Sequence, residues 1–217
     1  MGGVINRAVK SIVFVASAGP ALWLVWALFF DTQALGANPI EYAIRFNGDW
    51  GMRFLLLSLC ITPLKEIFNA PSLIRFRRML GLFAFFYAFL HLASYIGLDQ
   101  FFDWSAIWDD IVKRTYITVG MAAFVMLVPL AVTSTKGWVR RLSAPTWIKL
   151  HKLVYAASIA VIVHFYMMVK ADVREPLVYA GLLSVLLGYR FVARAVRRRR
   201  RVLRRQQEQK QDVQPST

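Results

Sequence analysis

The chain has 217 residues, is 58% hydrophobic and nevertheless carries a formal net charge of +15. With a mean hydropathy of +0.47, that combination excludes an ordinary soluble domain: the charge must be segregated into loops and a tail, away from apolar segments that sit in a membrane. The single cysteine, Cys60, excludes a disulfide framework, a CxxC redox pair and covalent cofactor attachment of the CxxCH kind.

In chain order, six runs reach or approach the roughly 20 apolar residues needed to cross the hydrocarbon core: 11–30, 51–68, 79–98, 116–132, 150–169 and 177–191. The first follows Arg7 and Lys10, but its apolar core is too long for the h-region of a signal peptide, so it is read as a retained helix. The second is the weakest, because Arg53 stands near its start and Pro63 interrupts it. Proline is tolerated in a membrane helix whose neighbours re-satisfy the freed carbonyl, and the segment is kept. The expected fold is all-α: a polytopic membrane helix bundle of six transmembrane helices, with a membrane domain over 1–195 and a disordered polybasic tail over 196–217.

Basic residues stay on the cytoplasmic side. With both termini inside, that side collects Arg7, Lys10, the Arg75, Arg77, Arg78 cluster, Arg140, Arg141 and the arginine-rich run from Arg190 onward, while the opposite loops are net acidic through Asp31, Asp99, Asp103, Asp109 and Glu175. The asymmetry fixes the expected orientation. A polybasic segment just cytoplasmic of a last helix binds anionic lipid head groups, and nucleic acid is excluded as a partner by the membrane context.

The three histidines, His91, His151 and His164, all fall inside or at the lip of these apolar runs. An imidazole in hydrocarbon is costly without a partner, and haem iron is the partner that a flat apolar macrocycle between helices would bring. Any such haem is b-type, since no attachment motif exists. His91 and His164 both fall in the outer halves of their helices and can clamp one haem between the third and fifth spans. His151 lies thirteen residues before His164, about 20 Å along a helix axis and turned by about 220°, so a bend or a second ligand site on another face is required. Arg77 precedes His91 by fourteen residues, nearly four turns, which places it on the face of His91 at the level of His151. There it can meet a haem propionate or another anionic group, or serve only the positive-inside bias.

The segments LGANPIEYAIRFNGDWGMRFLLLSLCITPL, RRMLGLFAFFYAFLHL, DDIVKRTYITVG and LHKLVYAASIAVIVHFYMMVKAD, in this order and with six spans, resemble the MsrQ (YedZ) family of haem-binding membrane subunits of bacterial protein-methionine-sulfoxide reductase systems. That family in turn resembles the ferric-reductase and NADPH-oxidase membrane domain. There two haems are held by histidine pairs on the third and fifth helices, at spacings that match Arg77 with His91 and His151 with His164. Arg77 occupies the place of the fourth histidine, so the resemblance supports an outer haem through His91 and His164 and leaves an inner one open. Thr115 stands where the family pattern suggests proline. The resemblance further implies a bacterial inner-membrane protein that passes electrons to MsrP, a periplasmic molybdenum enzyme reducing methionine sulfoxide in envelope proteins. The electrons would come from the quinone pool or a cytosolic flavin reductase, and the family has been associated with FMN. The sequence has no GxGxxG turn, so the donor is expected to be another molecule.

Two alternatives remain open at this level. One is a stand-alone ferric or quinone reductase. The other is a proton-coupled transporter, disfavoured because the interior of the spans carries no carboxylate to accompany the histidines.

Overall fold

The structure, a computed structural model, describes residues 2–169 and 171–213, and its described elements are helical. In order they are α1 (Gly2–Phe30), α2 (Pro39–Ile67), α3 (Ile74–Ser94), α4 (Trp104–Lys113), α5 (Thr115–Val132), α6 (Lys136–Leu142), α7 (Ala144–Leu150), α8 (Leu153–Met168) and α9 (Arg174–Val213). Five segments are long and apolar enough to cross a membrane: Ala8–Phe30, Pro71–Asp99, Thr115–Val132, Ala144–Met168 and Arg174–Val196. Helix α2 has the length, 29 residues, but the charges of Asp49 and Arg53 dilute its hydropathy.

Helix α2 begins well before the expected residue 51 because a polar cap starts it. The Asn38 side chain accepts from the Glu41 amide at 3.1 Å, and Pro39 fills the first helical position, where its missing N–H costs nothing. Arg53 is reconciled with its apolar surroundings by α9: it donates to Tyr179 Oη at 3.1 Å and lies 3.9 Å from Asp49 and 4.0 Å from Glu175. These contacts, with that of Tyr189 Oη to Glu66 at 2.7 Å, set α9 parallel to α2.

Two antiparallel pairs form the centre of the molecule, α2 with α3 and α5 with α8. The first pair is close because small residues face each other, a common device in membrane bundles. A methyl group at Gly51 would stand 3.2 Å from the Ala88 amide nitrogen. Around that approach Phe54, Leu55, Phe83, Ala84 and Tyr87 are buried together with Leu127 of α5 and Ala157 of α8. Met52, Leu56 and Leu59 on α2 bury a second cluster against Ile162 of α8 and Leu183 and Leu186 of α9.

Helix α1 carries Pro20 inside its length, and Tyr87 serves the disrupted turn. Its hydroxyl donates to the Ser17 carbonyl at 2.8 Å and accepts from the Ala21 amide at 3.0 Å, the two groups an unbroken helix would pair with each other. A neighbouring helix thus re-satisfies backbone that a proline disturbs.

Two expectations are corrected. The fifth span does not run unbroken from residue 150: α7 ends at Leu150 and α8 starts at Leu153, with His151 and Lys152 in the turn between them. Residues 101–113, taken as plain loop, instead contain α4, capped by Asp103, whose carboxylate accepts from Ser105 and Ala106 amides at 3.0 Å. Helix α9 extends to Val213, in keeping with a run of Arg, Gln, Glu and Lys, all good helix formers, without glycine or proline. Residues 214–217 lie outside the described residues.

Replacing Tyr87 by phenylalanine removes the bridge at Pro20 without changing the packed ring. The solubilised Tyr87→Phe variant is expected to lose about 1–3 kcal/mol of stability, read as a lower thermal midpoint. An unchanged midpoint would show that α1 closes its own turn.

Candidate functional site

His91 sits near the C-terminal end of α3 and His164 near that of α8, and the bundle brings them face to face. Their ring centroids are 6.1 Å apart with planes crossed at 77°. Each imidazole is held by the helix that precedes its own in the antiparallel pair. His91 Nδ1 donates to the Ile44 carbonyl of α2 at 2.8 Å, and His164 Nδ1 donates to the Tyr116 carbonyl of α5 at 2.7 Å. A carbonyl oxygen can only accept, so both rings carry their proton on Nδ1 and keep the Nε2 lone pair for a ligand.

The same local device appears twice. One turn after each accepting carbonyl stands a glycine, Gly48 after Ile44 and Gly120 after Tyr116. A methyl group at Gly48 would be 3.0 Å from His91 Nδ1, and one at Gly120 would be 2.7 Å from His164 Nδ1. These two glycines give the rings the room to reach the backbone. An Nδ1–H bonded to a backbone carbonyl is the common outer-shell arrangement of a metal-ligating histidine, fixing tautomer and ring orientation.

The donor set fits haem. Among the described residues no three His, Cys, Asp or Glu side chains converge to hold a bare metal ion, so two imidazoles suit an iron that brings its own four equatorial nitrogens. His91 and His164 would hold such a haem through their free Nε2 atoms, and it would supply a one-electron iron couple between the two helix pairs.

His151 is placed differently. It closes α7 at the opposite end of α8, stacked on Trp147 with centroids 3.9 Å apart, and its Nε2 lies 3.1 Å from Thr133 Oγ1. The Thr133 hydroxyl proton is committed to the Pro129 carbonyl at 2.6 Å, so His151 Nε2–H donates to Thr133 Oγ1 and Nδ1 keeps the lone pair. In this arrangement the nitrogen free for a ligand is the opposite one from that of His91 and His164. The turn at His151 supplies the bend that the thirteen-residue spacing required.

His151 and Arg77 line one cavity of about 260 Å³ at the end of the bundle opposite His91 and His164, together with Tyr155 of α8 and Arg190 and Arg194 of α9. The structure therefore brings together the expected pairs, His91 with His164 and His151 with Arg77. Sequence reasoning missed Gly48 and Gly120, although each stands one helical turn after its carbonyl. It also missed Thr133, Trp147 and the inward role of Arg190, which hydropathy reads as one more arginine after a span.

Residues 47–162 match the family model for the ferric reductase like transmembrane component, a stretch that includes His91 and His151 and ends just short of His164. Similar proteins carry the name protein-methionine-sulfoxide reductase heme-binding subunit MsrQ. That of Rhodospirillum rubrum is 57% identical over 195 residues, covering 90% of this chain and 92% of the relative. That of Caulobacter vibrioides is 48% identical over 185 residues, covering 85% and 87%. That of Xanthomonas euvesicatoria is 48% identical over 187 residues, covering 84% and 85%.

The steric role of the glycines is directly testable. Gly120→Ala is expected to displace His164 and weaken haem retention on purification by about 10- to 100-fold, whereas Gly181→Ala, whose added methyl meets nothing within 4 Å, leaves it unchanged. Equal haem content in the two variants would remove Gly120 from the site.

Proposed function

Because the chain belongs to the MsrQ family of ferric-reductase-like, multi-pass membrane proteins, we propose that it is a b-type cytochrome carrying electrons outward across the bacterial inner membrane. Its partner is the periplasmic molybdoenzyme MsrP, which repairs methionine sulfoxide in envelope proteins. The observation that carries this reading is the crossed pair His91 and His164, each with Nδ1 tied to backbone and Nε2 left for iron.

In this reading His91 and His164 hold one haem b, and bound haem supplies a one-electron iron couple. The chain's own residues do the rest. The Ile44 and Tyr116 carbonyls hold each imidazole in the Nδ1–H tautomer and raise the basicity of Nε2. Gly48 and Gly120 let the helices approach without pushing the rings aside, and the buried faces of α2, α3, α5 and α8 keep water from the pair. Six spans with both termini cytoplasmic, α2 included, put this pair on the outer side, toward MsrP.

His151 and Arg77 form the inner station, where electrons enter from the quinone pool or a cytosolic flavin reductase. A second haem, an FMN or a quinone is its occupant. The cationic lining of the cavity supports an anionic or electron-accepting group there. Because His151 already donates Nε2–H to Thr133, iron ligation would use Nδ1 or displace that bond.

The test is haem content by pyridine haemochrome with a dithionite-reduced minus oxidised spectrum. His91→Ala and His164→Ala are each expected to abolish the same b-type signal, and His151→Ala to retain it. Survival of that signal in either of the first two variants would overturn the ligand assignment. Reoxidation of the dithionite-reduced chain by MsrP and a methionine-sulfoxide peptide, absent when MsrP is omitted, tests the partner.

A further inference from the structure

Helix α4 divides its surface among three surroundings. At about 100° per residue, Ala106, Ile107, Asp110 and Ile111 share one face, and all four are buried or half-buried against the bundle. Ser105, Asp109 and Lys113 form a second, exposed and polar face, on which Lys113 pairs with Asp109 one turn back. Trp104, Trp108 and Val112 form a third, at successive four-residue steps, and these apolar side chains are 64–66% exposed. A helix with only protein and water around it would carry polar residues on all of its outward side.

Phe101 and Phe102 extend the apolar stripe. The third span ends in a π-helical turn over Tyr95–Asp99. Beyond it the Phe102 amide donates to the Ile96 carbonyl at 2.9 Å, and both phenylalanines take positive φ, 46° and 63°. Bulky residues rarely adopt that backbone. Here it leaves both rings exposed, with Phe102 beside Trp104 at 6.5 Å between ring centroids. A contiguous exposed apolar patch of this kind marks an interaction surface.

What the patch meets follows from where the chain is tethered. The span Pro71–Asp99 ends five residues before Trp104, and the span Thr115–Val132 begins two residues after Lys113. Fully extended chain would reach at most about 18 Å over the first gap and about 7 Å over the second, so α4 stays at the edge of the hydrocarbon. Arg114 is extended, φ −110° and ψ 94°, which turns α4 out of line with α5. Tyr95 Oη donates to Asp110 Oδ2 at 2.8 Å, and Arg114 Nε lies 3.0 Å from Asp110 Oδ1. Asp110 thereby clamps α4 to the end of the third span and to the entrance of α5, with the aromatic stripe on the outside. The stripe continues the exposed apolar flanks of these same two spans, which carry Phe86, Phe89 and Val125. Tryptophan is favoured at such a boundary because its ring is apolar and its N–H polar.

We infer that α4 is a membrane-surface helix, with Phe101, Phe102, Trp104, Trp108 and Val112 sunk into lipid at the end of the bundle that carries His91 and His164. Ser105, Asp109 and Lys113 face the water and head groups.

Single cysteines are introduced into the full chain in a Cys60→Ser background, spin-labelled and reconstituted in phosphatidylcholine nanodiscs. Collision of each label with oxygen, which concentrates in lipid, is compared with collision with a water-soluble nickel chelate. Labels at Trp104→Cys and Trp108→Cys are expected to favour oxygen several-fold more than those at Asp109→Cys and Lys113→Cys, approaching the ratio at Val125→Cys on the flank of α5. Val112→Cys keeps both tryptophans and is expected to behave like them, so it carries the comparison should either tryptophan variant not fold. Nickel access at Trp104, Trp108 and Val112 equal to that at Asp109 would put the stripe in water and overturn the assignment, leaving a protein partner as its occupant.

Discussion

Two hydrogen bonds from imidazole to backbone carbonyl organise this bundle. A histidine ring inside a membrane helix has neither water nor a side-chain acceptor at hand, so its N–H must find backbone, and helical carbonyls are reachable only where the helix surface is bare. Glycine supplies that bareness at position 48 for His91 and at position 120 for His164. The requirement is met by the same construction in both halves: a helix presenting a carbonyl and then a glycine one turn later, followed by an antiparallel helix carrying the histidine near its C-terminal end. The α2–α3 and α5–α8 pairs are thus equivalent units placed face to face, and the site is their meeting point.

The two ends of the bundle differ in chemistry because they differ in what holds their histidine. At one end the rings are fixed by groups that cannot titrate or rotate away, leaving the Nε2 atoms of two rings whose centroids are 6.1 Å apart without a protein partner among the described residues. At the other His151 rests in a turn, stacked on Trp147 and bonded to a hydroxyl, in a cavity that Arg77 and Arg190 also line. The first arrangement is fixed by backbone carbonyls; the second is lined by cationic and polar side chains.

Much of this was legible in the sequence. Long apolar runs located α1, α3, α5, α8 and α9, and the spacings of His91 with Arg77 and of His151 with His164 placed each at the correct end. The start of α2 was not, because hydropathy does not register a cap, although Asn38, Pro39 and Glu41 spelled one. The break before α8 was hidden in an uninterrupted apolar reading of residues 150–169. The short helix α4, amphipathic with Ile107 buried and Trp104 and Trp108 exposed, falls below the length that signals a span. Arg190 was opaque for a different reason: only the tertiary approach of Leu59 and Tyr155 turns a positive-inside arginine into a buried one.

The central claim, that His91 and His164 are the two axial ligands of one iron, is tested most directly by electron paramagnetic resonance of the oxidised, haem-replete chain. Two imidazoles crossed near the observed 77° predict a low-spin ferric signal of high anisotropy, lost in either alanine variant. A high-spin signal, or a low-spin signal that persists without His91 or His164, would contradict the account.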